Sequence, residues 1–179
     1  MEKRIVISGF GGQGIIALGK FIALTAMNSD KHVTYLPSYG AEVRGGTANC
    51  QIIISDEEIA SPCIEDMDIL IAMNQPSLDR FCGKVVTGGL IVVNTSLAAA
   101  KSGAVNIPAT EMAVSLGEKQ IANVVALGAL LAREQFLSVK DIKDALPVVL
   151  KGRCEKILRL NVQALDAGLR NSNKTVSSE

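Results

Sequence analysis

The sequence has no tryptophan, and aromatic residues make up only 3% of it. A surface on which nucleic-acid bases stack is therefore not expected. Charge of one sign is missing too: 18 Lys+Arg balance 18 Asp+Glu, for a formal net charge of +0. No basic field draws the chain to nucleic acid or to an anionic membrane. His32 is the only histidine, too little for a His-built metal site or a His–carboxylate pair. The four cysteines, Cys50, Cys63, Cys82 and Cys154, contain no C-x-x-C pair. Neither a structural zinc nor an iron–sulfur cluster is expected, and the thiols read as free. The most apolar long segment, 14–27, contains Lys20 and falls short of the roughly 20 residues that span a bilayer. Glycines break the N-terminal apolar run before it forms a signal-peptide core. A cytoplasmic chain with no membrane partner is expected.

What is present is a substantial core. Hydrophobic residues are 48% of 179, enough for one domain over 1–179 with a fraying tail from about 171. Short apolar runs at 5–8, 32–36, 48–54, 68–73, 90–94 and 105–107 alternate with helical patterns. The helices are expected at 13–27, from Gln75, at 110–116, at 121–133, after Ser138 and at 153–169. Pro37 is expected to stop the second strand, and Thr87-Gly88-Gly89 to be a turn before the fifth. A turn at Asp56-Glu57-Glu58 would pair 59–61 back as a hairpin. The fold class is α/β: a doubly wound, mostly parallel, Rossmann-like sheet with a small hairpin excursion.

Two glycine-rich loops carry the chemistry. The first, Gly9-Phe10-Gly11-Gly12-Gln13-Gly14, lies between a strand and a helix, as a dinucleotide fingerprint requires. The acidic residue that should follow strand two to hold a ribose is absent; that strand ends Tyr35-Leu36-Pro37-Ser38. Three readings stay open. The glycines admit NAD or NADP, or they only permit close strand–helix packing, or they admit another anion or a partner's surface.

The second loop runs Ser38-Tyr39-Gly40-Ala41-Glu42-Val43-Arg44-Gly45-Gly46-Thr47. In a doubly wound sheet it leaves on the same edge as the first, so Tyr39, Glu42 and Arg44 can project over it. Arg44 suits a carboxylate or a phosphate. The bland alternative is a Glu42–Arg44 pair on a solvated turn, worth little. There is no Gly-Asp-Gly thiamine diphosphate motif, no Gly-x-x-x-x-Gly-Lys-Ser/Thr and no Gly-x-Ser-x-Gly elbow.

The run from Ile5 to Gly14 resembles the opening of the gamma subunit of 2-oxoacid:ferredoxin oxidoreductases. Leu36 to Cys50 is similar to that family's second signature. Shorter matches are Ala72-Met73-Asn74-Gln75-Pro76-Ser77, Gly88-Gly89-Leu90, Ile107-Pro108-Ala109-Thr110 and Asn123-Val124-Val125-Ala126-Leu127-Gly128. The resemblance implies a subunit of a complex that oxidatively decarboxylates a 2-oxoacid, forms an acyl-CoA and reduces ferredoxin. Among the substrates 2-oxoglutarate is favoured, with branched-chain 2-oxoacid and indolepyruvate enzymes as alternatives. It places thiamine diphosphate, magnesium and iron–sulfur clusters in alpha, beta or delta partner chains, with no tightly bound cofactor, metal or catalytic residue here. Coenzyme A is then the candidate ligand at the subunit interface. The candidate contacts are Gly9, Gly11, Gly12, Gln13, Gly14, Tyr39, Glu42, Arg44, Gly45 and Gly46. Two readings from other classes remain beside it: a free-standing dinucleotide-binding oxidoreductase and a non-catalytic binding module. Helix 13–27, apolar on nearly all sides, and helix 121–133, with Leu127, Leu130 and Leu131 on one side, are too apolar for a small monomer, so an interface with partner subunits is expected, with self-association when they are missing.

Overall fold

The computed structural model describes residues 1–39, 47–150, 152 and 154–172. Six strands form one sheet in the order β2-β3-β1-β4-β5-β6. They are β1 (Glu2–Phe10), β2 (His32–Tyr39), β3 (Thr47–Ser55), β4 (Met67–Ala72), β5 (Val85–Asn94) and β6 (Val105–Ile107). β1, β4, β5 and β6 run parallel, while β3 is antiparallel to both β1 and β2. The helices are α1 (Ile15–Asn28), α2 (Gln75–Phe81), α3 (Ala109–Ser115), α4 (Ala122–Leu131), α5 (Val139–Val149) and α6 (Glu155–Ser172).

The strands are apolar because both faces are covered. On β1, Ile5 and Ile7 enter a large core shared with residues of α1, α3, α4, α5 and α6. Val6 enters a smaller core with Leu78 and Phe81 of α2. The antiparallel excursion is the β2–β3 pair, and it is not where the sequence placed it. Residues 59–61 form no strand, and the chain there only crosses to β4. β2 also runs through Pro37, which pairs with Cys50. It is the edge strand, where a proline's missing N–H faces away from the ladder. β5 likewise starts at Val85, with Gly88 at φ +80° and a register shift against β4 absorbed inside the strand rather than in a turn before it.

Helix α4 overturns the interface argument drawn from its apolarity. All ten of its residues are buried within this chain, chiefly under α6. Gly128 of α4 and Gly168 of α6 let the two backbones touch: a Cβ at Gly168 would lie 2.1 Å from the Val125 carbonyl oxygen. Ser138 caps α5 by accepting from the Asp141 N–H at 3.0 Å, as its sequence pattern implied. No helix among the described residues is long and apolar enough to cross a membrane.

Candidate functional site

The strand order reverses at β1: the chain goes to one side for β2 and β3, then to the other for β4, β5 and β6. The crevice outside the carboxyl ends at such a reversal is where open α/β sheets bind ligands. The first glycine loop fills this position. Its turn closes with the Gln13 N–H donating to the Phe10 carbonyl at 3.2 Å. Gly14, the N-cap of α1, is left-handed at φ 70° and no side chain caps the helix. That is why α1 starts at Ile15 and leaves Gln13 in the loop.

The glycines are not equivalent. A Cβ on Gly9 would meet Gln13 Oε1 at 2.5 Å and Ile15 Cδ1 at 2.7 Å; one on Gly14 would meet Asn123 Nδ2 at 2.5 Å. These two serve close packing of strand, loop and α4. Gly11 is half-buried. Gly12 is different: it is exposed, its φ is +94°, and among the described residues nothing lies within 4 Å of where its Cβ would be. Packing explains Gly9 and Gly14 but leaves Gly12 as open backbone facing solvent beside an uncapped helix N-terminus, a geometry suited to an anion.

Gln13 turns its side chain into the protein. Its Oε1 accepts from the Phe10 N–H at 2.6 Å and from Asn74 Nδ2 at 3.3 Å, and its Nε2 donates to the Met73 carbonyl at 3.3 Å. The second loop leaves the sheet at the same edge, since Phe10 pairs with Thr47 and Tyr39 with Ala48. Gly40, Glu42, Arg44, Gly45 and Gly46 lie outside the described residues.

Sequence reasoning assigned no role to the side chains that build the floor of this edge. Asn94, fully buried, donates to the Met73 carbonyl at 3.1 Å and to Thr110 Oγ1 at 2.9 Å, and accepts from the Thr110 N–H at 3.2 Å. Asn74 caps α2 by accepting from the Ser77 N–H at 3.0 Å. Ser8 donates to Ser77 Oγ at 2.9 Å, and Asn123 donates to the Gly14 carbonyl at 2.9 Å. The signal was present: Asn74, Ser77, Thr110 and Asn123 fall inside the matched runs 72–77, 107–110 and 123–128. Beside the loop, a cavity of about 220 Å³ opens between Gly12, Gly14, Phe21, Leu146 and Asn161.

The described donors do not fit an iron–sulfur cluster. Cys50 is buried with its Sγ 3.6 Å from the Ile15 carbonyl, and burial pushes its thiol up to about 12. No group of three or more His, Cys, Asp or Glu converges among the described residues. At the opposite, amino edge of the sheet, Arg4 grips Asp68 with Nε and Nη2, each at 3.0 Å, and with its backbone N–H at 2.8 Å. Burial raises the Asp68 carboxyl, but these bonds outweigh it and hold it below the ordinary value.

A family model described as pyruvate ferredoxin/flavodoxin oxidoreductase matches residues 4–171. Ketoisovalerate oxidoreductase subunit VorA of Methanothermobacter thermautotrophicus is 37% identical over 99% of this chain. The chain spans only 38% of that relative's length. 2-Oxoglutarate synthase subunit KorC of Methanocaldococcus jannaschii is 35% identical over 88% of this chain and 89% of its own. Among solved structures, the gamma subunit of a keto/oxoacid ferredoxin oxidoreductase from Geobacter sulfurreducens superposes with TM-score 0.80 at 29% identity. It covers 97% of this chain and 98% of that one. The 2-oxoglutarate:ferredoxin oxidoreductase of Magnetococcus marinus, solved with 2-oxoglutarate, coenzyme A and succinyl-CoA bound, gives TM-score 0.85 at 26% identity. The match covers 97% of this chain and 31% of that one.

Proposed function

The chain belongs to the pyruvate ferredoxin/flavodoxin oxidoreductase family, and from that membership we propose that it is the gamma subunit of a 2-oxoacid:ferredoxin oxidoreductase. The complex decarboxylates a 2-oxoacid oxidatively, transfers the acyl group to coenzyme A and delivers the electrons to ferredoxin. Thiamine diphosphate, magnesium and the iron–sulfur clusters belong to the alpha, beta or delta partners. This chain supplies a face of the coenzyme A site and carries no catalytic residue.

The observation that carries this reading is Gly12. It presents bare backbone at the strand reversal, beside the uncapped N-terminus of α1, with no atom of the described residues within 4 Å of where its Cβ would be. Its N–H and those of the first turn of α1 suit a phosphate of coenzyme A. Tyr39, Glu42, Arg44, Gly45 and Gly46 complete the site from the neighbouring loop, with Arg44 on the ligand's anionic groups.

In the complex purified with its partner subunits, Arg44→Ala raises KM for coenzyme A by about tenfold or more, as loss of a hydrogen bond to a charged group implies. Gly12→Val raises it further, because a β-branched residue is strained at φ +94° and fills the approach. Steady-state kinetics against coenzyme A and against the 2-oxoacid check this. Unchanged coenzyme A kinetics in both variants would reject the site. The substrate assigned is 2-oxoglutarate, supported by the KorC likeness and by the bound ligand in the Magnetococcus structure. The second reading is ketoisovalerate, which the 37% identity to VorA favours. Turnover of the two oxoacids by the same preparation separates them.

A further inference from the structure

We propose that Gln13 is a positioning residue rather than a ligand contact. With Asn74 it forms a clasp that holds Gly12 in its ligand-facing conformation and ties that conformation to the β4–α2 turn. The inference rests on the reading that Gly12 faces coenzyme A, and it names what sets the geometry of that site.

Three of the four groups on the Gln13 carboxamide edge are engaged, and they point in two directions. The Phe10 N–H bond to Oε1 closes the loop on itself across Gly11 and Gly12. The Asn74 bond to Oε1 and the Nε2 bond to the Met73 carbonyl anchor the closed loop to the end of β4. Only a side chain that both accepts and donates in one plane makes this set. Its room comes from Gly9, where a Cβ would stand 2.5 Å from Gln13 Oε1.

The anchor is itself fixed. The Met73 carbonyl also receives the buried Asn94, its N–H donates to the Ser8 carbonyl at 2.9 Å, and Asn74 is held by the Ser77 N–H. Movement of the β4–α2 turn therefore reaches Gly12 through Gln13. Without the clasp, the turn around Gly12 at φ +94° keeps the single backbone bond from the Gln13 N–H to the Phe10 carbonyl at 3.2 Å and loses its tie to the β4–α2 turn. A loose loop orders only on binding, and the ordering cost weakens affinity.

The test uses the complex with its partner subunits. Gln13→Met keeps length and apolar volume but removes all three bonds. It raises KM for coenzyme A about tenfold, roughly the worth of one or two neutral hydrogen bonds, while kcat falls less than threefold. Gln13→Glu keeps Oε1 as an acceptor but turns a second, anionic oxygen toward the Met73 carbonyl, so it raises KM for coenzyme A at least as much as Gln13→Met, again with kcat falling less than threefold. A merely structural role would instead lower kcat or the yield of assembled complex and leave KM unmoved. Where Gln13→Met fails to assemble, Gln13→Glu is read alone, and it must raise KM more than it lowers kcat. Amide exchange in the isolated chain supplies a readout free of partners: the Phe10 N–H exchanges faster in Gln13→Met than in wild type, while amides in the middle of β1 do not change. Unmoved KM in the Gln13 variants beside raised KM in Gly12→Val would overturn the clasp and leave the coenzyme A reading standing. Unmoved KM in Gly12→Val as well would overturn both.

Discussion

Asn94 shows how far a single amide reaches in this protein. It is fully buried, touches the carbonyl of Met73 and both polar groups of Thr110 it can reach, and so holds three chain segments at the site's edge. Asn94→Asp is expected to destabilise by about 2–4 kcal/mol, because an acceptor replaces the donor facing a carbonyl and a carboxyl is buried. Burial raises the folded-state pKa of the introduced carboxyl above its unfolded value. The variant therefore loses more stability as pH rises above about 4, which denaturant melts at pH 4 and pH 8 detect. Asp68 carries the opposite sign. Its folded pKa is depressed by Arg4, so the pair stabilises above the unfolded carboxylate value near 4 and is lost as pH falls through the lower folded value. Asp68→Asn is expected to lower stability by about 1–2 kcal/mol at pH 7, discounted for a half-exposed pair. The difference from wild type shrinks as pH falls below about 4 and through the lower folded value. At this scale the sequence exposed the glycines but not the amides. A glycine between a strand and a helix announces itself locally. Asn94 and Asn123 have partners 16 to 109 residues away, and nothing in their neighbours specifies those contacts.

Among elements, the parallel strands and most helices were legible because their apolar runs are short, continuous and bounded by glycine, proline or capping residues. Two misses share one cause. Pro37 and Gly88-Gly89 look like interruptions in isolation, but an edge position tolerates the first and a register shift the second. Pairing partners decide both, and pairing is a tertiary property. The apolarity of α4 was misread for the same reason, since α6 covers it. The α4–α6 crossing gives a sharp test. Gly168→Ala is expected to cost about 1–3 kcal/mol, because the added carbon meets backbone of α4 and no side chain can move aside. That corresponds to a fall in Tm of roughly 3–10 °C for a chain of this size. Gly83→Ala, where nothing lies within 4 Å, should leave Tm nearly unchanged. Thermal melts of the two variants side by side decide whether the crossing is this close.

For the whole molecule, the exposed large apolar side chains are scattered, with Met27, Val114 and Val148 on helices, and two of them, Phe10 and Leu97, lie at the carboxyl edge. Phe10 begins the glycine loop, and the Leu97 carbonyl accepts from the Gln75 N–H at 3.1 Å, next to Asn74. These two exposed side chains thus adjoin the candidate ligand site. On the proposed function, this edge is where the partner chains meet the subunit. Affinity purification of the chain from its native cell, followed by a ferredoxin-reduction assay on the recovered material, tests this most directly. The account predicts recovery with thiamine-dependent subunits and reduction of ferredoxin only when a 2-oxoacid and coenzyme A are both supplied, with none from the chain alone. Recovery of the chain by itself, or ferredoxin reduction that ignores coenzyme A, would contradict it.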